Sequence, residues 1–133
     1  MLDPNTTALL NQLGYPGTEG FLDRRIKALA GDPDEELVVG EENGEVLAVL
    51  SIHFIPQLAV LGPFARISYF CIDGDHRGKG MGRELEEYCE AVARQRGCDR
   101  IELHCHSRRT DAHRFYQQQG YEESPKYLMK KLK

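Results

Sequence analysis

The chain predicts an α/β fold, a mixed β-sheet flanked by helices, and three observations carry that reading. Between Leu37 and Ile55 apolar residues follow a strand period around an Asn43-Gly44 turn, which is the pattern of a β-hairpin. From Met81 to Val92 the apolar positions 81, 85, 88, 89 and 92 follow a helical period instead. Around that helix the order is strand, glycine-rich loop, helix, strand, and a right-handed crossover would make the two strands parallel. Antiparallel and parallel neighbours together give a mixed sheet.

Composition sets the limits. A chain of 133 residues with 41% hydrophobic content suits one domain with a modest core. A net charge of -4 and a sequence pI near 5.7 argue against nucleic acid or an anionic membrane as a general partner. The longest uncharged run, Val46 to Ala65, contains His53, Gln57 and two prolines and does not read as a membrane span. The first residues lack the basic start and long apolar segment of an export signal, so the expected location is the cytoplasm. Cys71, Cys89, Cys98 and Cys105 form no CxxC pair and read as small buried hydrophobes in a reducing compartment.

In chain order, Leu9, Leu10 and Leu13 at helical spacing predict a short helix from Asn5 to Leu13, stopped by Gly14. Thr18 is placed to cap a second helix lined by Phe21, Leu22, Ile26 and Leu29 and ended by Gly31, and the two helices would form a hairpin. Leu37 to Val39 and Glu45 to Ile55 are the hairpin strands, and Pro56 ends the second. In the loop from Gln57 to Phe64, the apolar residues Leu58, Val60 and Leu61 are expected to cover something. Arg66 to Asp73 is the third strand. The central helix runs from about Met81 to Arg96 with Gly97 as its stop. Arg100 to His106 alternates as a strand, with Ile101, Leu103 and Cys105 opposite Glu102, His104 and His106. Thr110 caps a last helix, Asp111 to Gln119, ended by Gly120, and Tyr127 to Leu132 reads as a closing strand.

The chemistry is concentrated at Gly78, Gly80 and Gly82. Glycine allows positive φ, so successive N–H groups can face one concavity, and the start of the following helix adds its own unsatisfied N–H groups and positive dipole. Such a site binds phosphate, and Arg77, Lys79 and Arg83 add formal charge around it. A P-loop would need Lys and Ser/Thr directly after the last glycine, where this chain has Arg83 and Glu84. A dinucleotide GxGxxG is excluded by the GxGxG spacing.

The loop does resemble the signature of the GNAT superfamily of N-acetyltransferases: arginine or glutamine, two residues, glycine, one residue, glycine or alanine, met by Arg77, Gly80 and Gly82. A second signature of that superfamily is matched by Ala112, Phe115, Tyr116, Gly120 and Tyr121. The segment 107–116 is especially similar to the branch of aminoalkylphosphonate and other small-amine acetyltransferases.

The resemblance implies a sheet splayed between the third strand and the strand at Arg100 to His106, with acetyl-CoA as co-substrate. It implies that Cys71, Ile72 and Asp73 pair through their main chains with the pantetheine arm. It likewise implies that Arg77, Gly78, Lys79, Gly80, Met81, Gly82 and Arg83 meet the pyrophosphate and that Tyr116 acts as general acid toward the departing thiolate. Arg109 stands where relatives often have asparagine and is counted with the cofactor-binding residues, and Arg66 and Arg109 point to an acidic group on the acceptor. Arg66, Tyr69, His104 and His106 would line the acceptor side. His104 and His106 also have an HxH spacing, but without a third ligand no metal is expected. Relatives often carry acidic residues in the third strand where this chain has Arg66 and Tyr69, so the resemblance supplies no general base. They also generally begin with a strand before the first helix, and that strand is expected to be missing here. Its loss would leave an edge that a homodimer could cover.

The expected function is acetyl transfer from acetyl-CoA to the primary amine of a small molecule, by direct attack in a ternary complex. The alternatives are a non-catalytic acyl-CoA-binding or regulatory module and a protein N-acetyltransferase.

Overall fold

The structure is a computed structural model that describes residues 17–18, 20–105, 110–123 and 128–133. The helix expected over Asn5 to Leu13, and its packing as a hairpin, lie outside them. The elements are α1 (Leu22–Ala30), β1 (Glu35–Glu42), β2 (Glu45–Ile55), β3 (Phe64–Ile72), a 3₁₀ turn (Gly74–His76), α2 (Met81–Gln95), β4 (Ile101–Leu103) and α3 (Thr110–Gln118). The chain groups into two units, one ending at Leu103 and the other starting at His104. Among the described residues the sheet has the order β1-β2-β3-β4, with β1–β2 and β2–β3 antiparallel and β3–β4 parallel, so it is mixed as expected.

Helix α1 starts differently from the expectation. Its first turn is closed by the Thr18 carbonyl, which accepts from the N–H groups of Phe21 (3.1 Å) and Leu22 (2.9 Å), and no side chain caps it. Thr18 lies four residues before Leu22, one turn too early for its hydroxyl to stand at the cap position. Gly31 does end the helix, but at φ -87°, a conformation open to any residue.

Asn43 and Gly44 turn the hairpin at φ 53° and 80°, and two positive φ values in succession match the twist of the strands they join. Two register shifts interrupt the ladders. Gly40 pairs with Ala48 and Glu41 with Val46, so Leu47 is an extra residue in β2. Ser51 pairs with Tyr69 and Ile52 with Ile67, so Ser68 is an extra residue in β3.

One face of the sheet holds the main core: Ala48, Leu50, Ile52 and Phe54 of β2 with Ala65 and Ile67 of β3, packed on Leu85, Cys89 and Ala93 of α2. Leu50 and Ile52 are fully buried, each contributing roughly 1.5–3 kcal/mol of transfer free energy. The other face carries a smaller cluster of Val46, Val49 and Cys71 with Leu37.

The central helix has one correction to its expected stripe. Tyr88 is 42% exposed, because its ring lies at the stripe's margin and its hydroxyl donates to the Glu36 carboxylate on β1. That hydrogen bond, with partial burial behind it, raises the Tyr88 pKa. In its place Glu86 is completely buried, one turn from Cys89. Burial first, and the Glu86 charge second, push the Cys89 thiol up to about 12. Cys89 should therefore stay unlabelled by iodoacetamide in mildly alkaline buffer and react only after unfolding; mass spectrometry showing native labelling at the rate of an open thiol would contradict this placement. The helix closes as expected at Gly97 (φ 75°), with Cys98 N–H bonded to Ala93 O (2.9 Å) and Gly97 N–H to Arg94 O (3.0 Å).

Three further expectations are corrected. Among the described residues of the strand foreseen over Arg100 to His106, only Ile101–Leu103 are in strand: Leu103 pairs with Ile67, and the next residue of β3 is the extra Ser68, which breaks the register. In the loop after β2, Leu58 and Leu61 are fully exposed and cover nothing. Polar groups hold the loop instead, since Gln57 donates to Gly62 O (3.0 Å) and Asp99 Oδ1 (2.6 Å). Tyr127 lies outside the described residues, and 128–132 form no strand, with Leu128, Met129 and Leu132 exposed. The apolar residues there do not alternate, and Lys130, Lys131 and Lys133 favour solvent.

Candidate functional site

The end of β3 is fastened before the glycine loop begins. Asp73 N–H donates to the carbonyl of Leu47, the extra residue of β2 (2.7 Å), and Asp73 O accepts from His76 N–H (2.9 Å). The Asp73 carboxylate accepts from Asp75 N–H (3.3 Å) and contacts His76 Nδ1 (2.8 Å). Arg77 Nε donates to Ile72 O (3.2 Å), which folds the arginine back along the turn. Cys71 is buried in the smaller core cluster, so its side chain belongs to packing.

Gly78 and Gly80 then take φ 80° and 90°. A Cβ at either would meet nothing within 4 Å, so backbone conformation and not crowding calls for glycine. Gly80 is the N-cap of α2, and its carbonyl accepts the first helical bond from Glu84 N–H (3.1 Å). That leaves the N–H groups of Met81, Gly82 and Arg83 without acceptors inside the helix, at the positive end of its dipole.

Side chains around the loop divide. Arg77 and Lys79 are exposed. Arg83 is also exposed and donates from Nε to Glu87 (3.0 Å), an i,i+4 surface pair worth at most about 0.5 kcal/mol and easily exchanged for another anion. Met81 packs into the main core, and its sulfur would lie 3.1 Å from a Cβ at Gly40. Gly82 is buried on the same side of the helix. The loop thus offers an exposed, N–H-rich surface with basic groups, suited to a phosphate oxyanion.

A second polar group crosses the sheet on the face opposite α2. Glu35, His53, Arg66 and Glu102 are successive register partners across all four strands. His53 Nδ1 contacts the Glu35 carboxylate, and His53 Nε2 lies 2.5 Å from Ser68 Oγ. Ser68 is exposed, whereas His53 and Glu35 are half-buried. Glu102 accepts from Arg100 Nε (2.6 Å). Of these, the sequence reading had singled out only Arg66 as a site residue. The signal for His53 was present: Ser51 and His53 are alternate polar positions in the otherwise apolar run 46–55. Tyr69, 37% exposed, pairs with Ser51 beside this row.

In the second unit, Tyr116 lies half-buried on α3 with its ring edge-on to Phe115 (5.3 Å) and Tyr121 (5.5 Å). Its carbonyl accepts from the N–H groups of Gln119 (3.1 Å) and Tyr121 (3.0 Å), and Gly120 at φ 93° makes that reversal. The spacing of the aromatic motif therefore has a local cause: the glycine brings Tyr121 back against Tyr116. His104 is exposed. His106 and Arg109 lie outside the described residues, among which no cluster of three metal-ligating side chains occurs.

Comparison with known proteins agrees with this geometry. Residues 6–121 match the acetyltransferase (GNAT) family. The chain is 32% identical over 117 residues to the aminoalkylphosphonate N-acetyltransferase of Salmonella typhimurium, covering 87% of this chain and 73% of that one. Among solved structures, it is similar to a transcriptional regulator from Bacillus halodurans, with a TM-score of 0.78 and 31% identity over 83% of this chain and 74% of that one. It also shares its fold with glucosamine-6-phosphate N-acetyltransferase from Arabidopsis thaliana, with a TM-score of 0.83 and 24% identity over 96% and 88% of the two chains.

Proposed function

The chain belongs to the GNAT family of acetyltransferases, and from that premise we propose that it acetylates the primary amine of a small molecule, using acetyl-CoA by direct attack in a ternary complex. The observation that carries the proposal is the glycine loop, where two left-handed residues and the open start of α2 build an anion site without a metal. Each charge-assisted hydrogen bond there contributes roughly 1.5–3 kcal/mol, so a few suffice to hold a pyrophosphate.

We assign Gly78, Gly80, Gly82 and the N–H groups of 81–83 to the pyrophosphate, with Arg77, Lys79 and Arg83 as its basic neighbours, and keep Arg109 as a cofactor-binding residue. The main-chain groups of Asp73 are engaged with Leu47 and His76, and Ile72 O with Arg77 Nε, so the pantetheine arm is assigned to Cys71 and to the N–H of Ile72. Arg66, half-buried on the sheet face opposite α2, suits an acceptor bearing an acidic group, and Tyr69, His104 and His106 complete the assigned acceptor side. The Salmonella relative, whose name gives an aminoalkylphosphonate as its substrate, supports an amine of this kind.

The chemistry sets two proton demands. An amine near pKa 10 must lose a proton before it attacks, at a cost of about 4 kcal/mol at neutral pH. The departing thiolate gains from a proton donor, the role we give to the Tyr116 phenol. A main-chain N–H of Cys71 or Ile72 is assigned to the tetrahedral oxyanion, and holding thioester and amine together supplies much of the remaining rate.

A panel of small amines, with and without phosphonate or carboxylate groups, assayed for release of free CoA thiol, tests this reading. Turnover on at least one is expected, with Tyr116→Phe slower by about tenfold or more at saturation. An unchanged rate with chemistry limiting would remove Tyr116 from the mechanism. Tight acetyl-CoA binding with no turnover on any amine would replace the enzyme reading with an acyl-CoA-binding module.

A further inference from the structure

A hydroxyl, an imidazole and a carboxylate stand in series on three neighbouring strands. Ser68 Oγ on β3 is 2.5 Å from His53 Nε2 on β2, and His53 Nδ1 meets the Glu35 carboxylate on β1. With a carboxylate against Nδ1, the tautomer favoured by charge carries its hydrogen on Nδ1, which leaves Nε2 to accept from the Ser68 hydroxyl. Ser68 owes its place to the register shift, which inserts it between Ile67, paired with His53's neighbour Ile52, and Tyr69, paired with Ser51. The same residue follows the last β3 position paired to β4, and β3 runs on from it toward Cys71 and Ile72.

From this arrangement we propose that Ser68, His53 and Glu35 form the proton relay that deprotonates the acceptor amine, filling the general-base role for which the third strand has no carboxylate. The proposal rests on the acetyl-transfer reading above. The ammonium form of the acceptor gives one proton to Ser68 Oγ as the Ser68 hydroxyl proton passes to His53 Nε2. The freed lone pair attacks the thioester carbonyl carbon, the C–S bond breaks as the tetrahedral adduct collapses, the thiolate sulfur takes the phenol proton assigned to Tyr116, and the second amine proton restores that phenol. His53 then returns its proton to water.

The charges facing His53 fit transient protonation. Glu35 on β1 favours the imidazolium. Arg66, its register partner on β3, opposes it, and Glu102 on β4 stands beyond Arg66, while Tyr69 is the other titratable group nearby on β3. Ser68 touches substrate and is the catalytic group, and His53 and Glu35 act through it.

The test compares wild type with His53→Gln, Ser68→Ala and Glu35→Gln on an accepted amine, with acetyl-CoA affinity from calorimetry as the check on folding. The relay predicts unchanged acetyl-CoA binding, with kcat/KM for the amine lower by at least about tenfold at neutral pH in His53→Gln and Ser68→Ala. It also predicts that in His53→Gln the rise of kcat/KM with pH moves to the alkaline range set by the amine itself, so that the deficit shrinks as the amine deprotonates unaided. A purely structural cross-strand contact would lower stability without changing that profile. Turnover by His53→Gln with the wild-type profile would overturn the relay alone, as would trapping of an acetyl ester on Ser68. Absence of turnover by the wild type on every amine would sink the acetyl-transfer reading and the relay with it.

Discussion

Gly80→Val is expected to weaken acetyl-CoA binding about 100-fold or more while leaving the protein folded. Gly80 sits at φ 90°, where a β-branched residue is an outlier, and open space around it means that no neighbour resists the added atoms. The strain, about 1–3 kcal/mol, is thus relieved by rotation of the backbone to negative φ. That rotation swings the peptide planes on either side of residue 80 and takes at least two N–H groups off the phosphate position. Losing two charge-assisted bonds at roughly 1.5–3 kcal/mol each gives the factor stated. The pair Arg83–Glu87 is exposed and adjacent, so Arg83→Ala should cost far less, within about tenfold. Calorimetry with acetyl-CoA reads both. Equal, small losses for Gly80→Val and Arg83→Ala would mean that main-chain amides are not what holds the diphosphate.

The loop was legible because its physics is local: a backbone conformation, a helix start and formal charges are all written within seven residues. The hairpin was legible for the same reason, since Asn43 and Gly44 declare their φ values. What the sequence did not disclose depends on register. Ser68 reads as one more residue of a strand, and only its pairing shows that it is the extra one, which in turn shortens β4 to three residues. His53 reads as a tolerated polar residue until Glu35 is seen opposite it, eighteen positions earlier in the chain. Tyr88 is more exposed than its place in the apolar stripe predicts because a helical wheel places a side chain by angle alone, whereas the Tyr88 hydroxyl is drawn outward by Glu36. In the second unit the aromatic motif was found by resemblance, and its cause, the Gly120 reversal that seats Tyr121 on Tyr116, needed coordinates.

Two glycines separate crowding from conformation in the scaffold itself. A Cβ at Gly62 would fall inside the van der Waals envelope of the Gly97 carbonyl oxygen, and both sides of that contact are backbone. Neither can yield cheaply. Gly97 closes α2 at φ 75°, and the two segments are stitched together by Asp99 N–H to Pro63 O (3.1 Å), Ala65 N–H to Arg100 O (3.0 Å) and Gln57 Nε2 to Asp99 Oδ1 (2.6 Å). Gly62→Ala must therefore part the loop from the end of the helix and lose some of these bonds. The expected loss is about 3 kcal/mol, or roughly 10 °C in Tm for a chain of this size. Gly31→Ala is the opposite case: its φ of -87° suits alanine, and the added methyl would lie at ordinary contact distances of 3.6 and 3.8 Å from the carbonyls of Lys27 and Ala28. Restricting the unfolded chain there should raise stability by about 0.4–1 kcal/mol. Urea or thermal unfolding of the two variants beside wild type decides the matter. If Gly62→Ala leaves the midpoint unchanged or raises it, the packing of the 57–63 loop on the end of α2 is not as the structure has it.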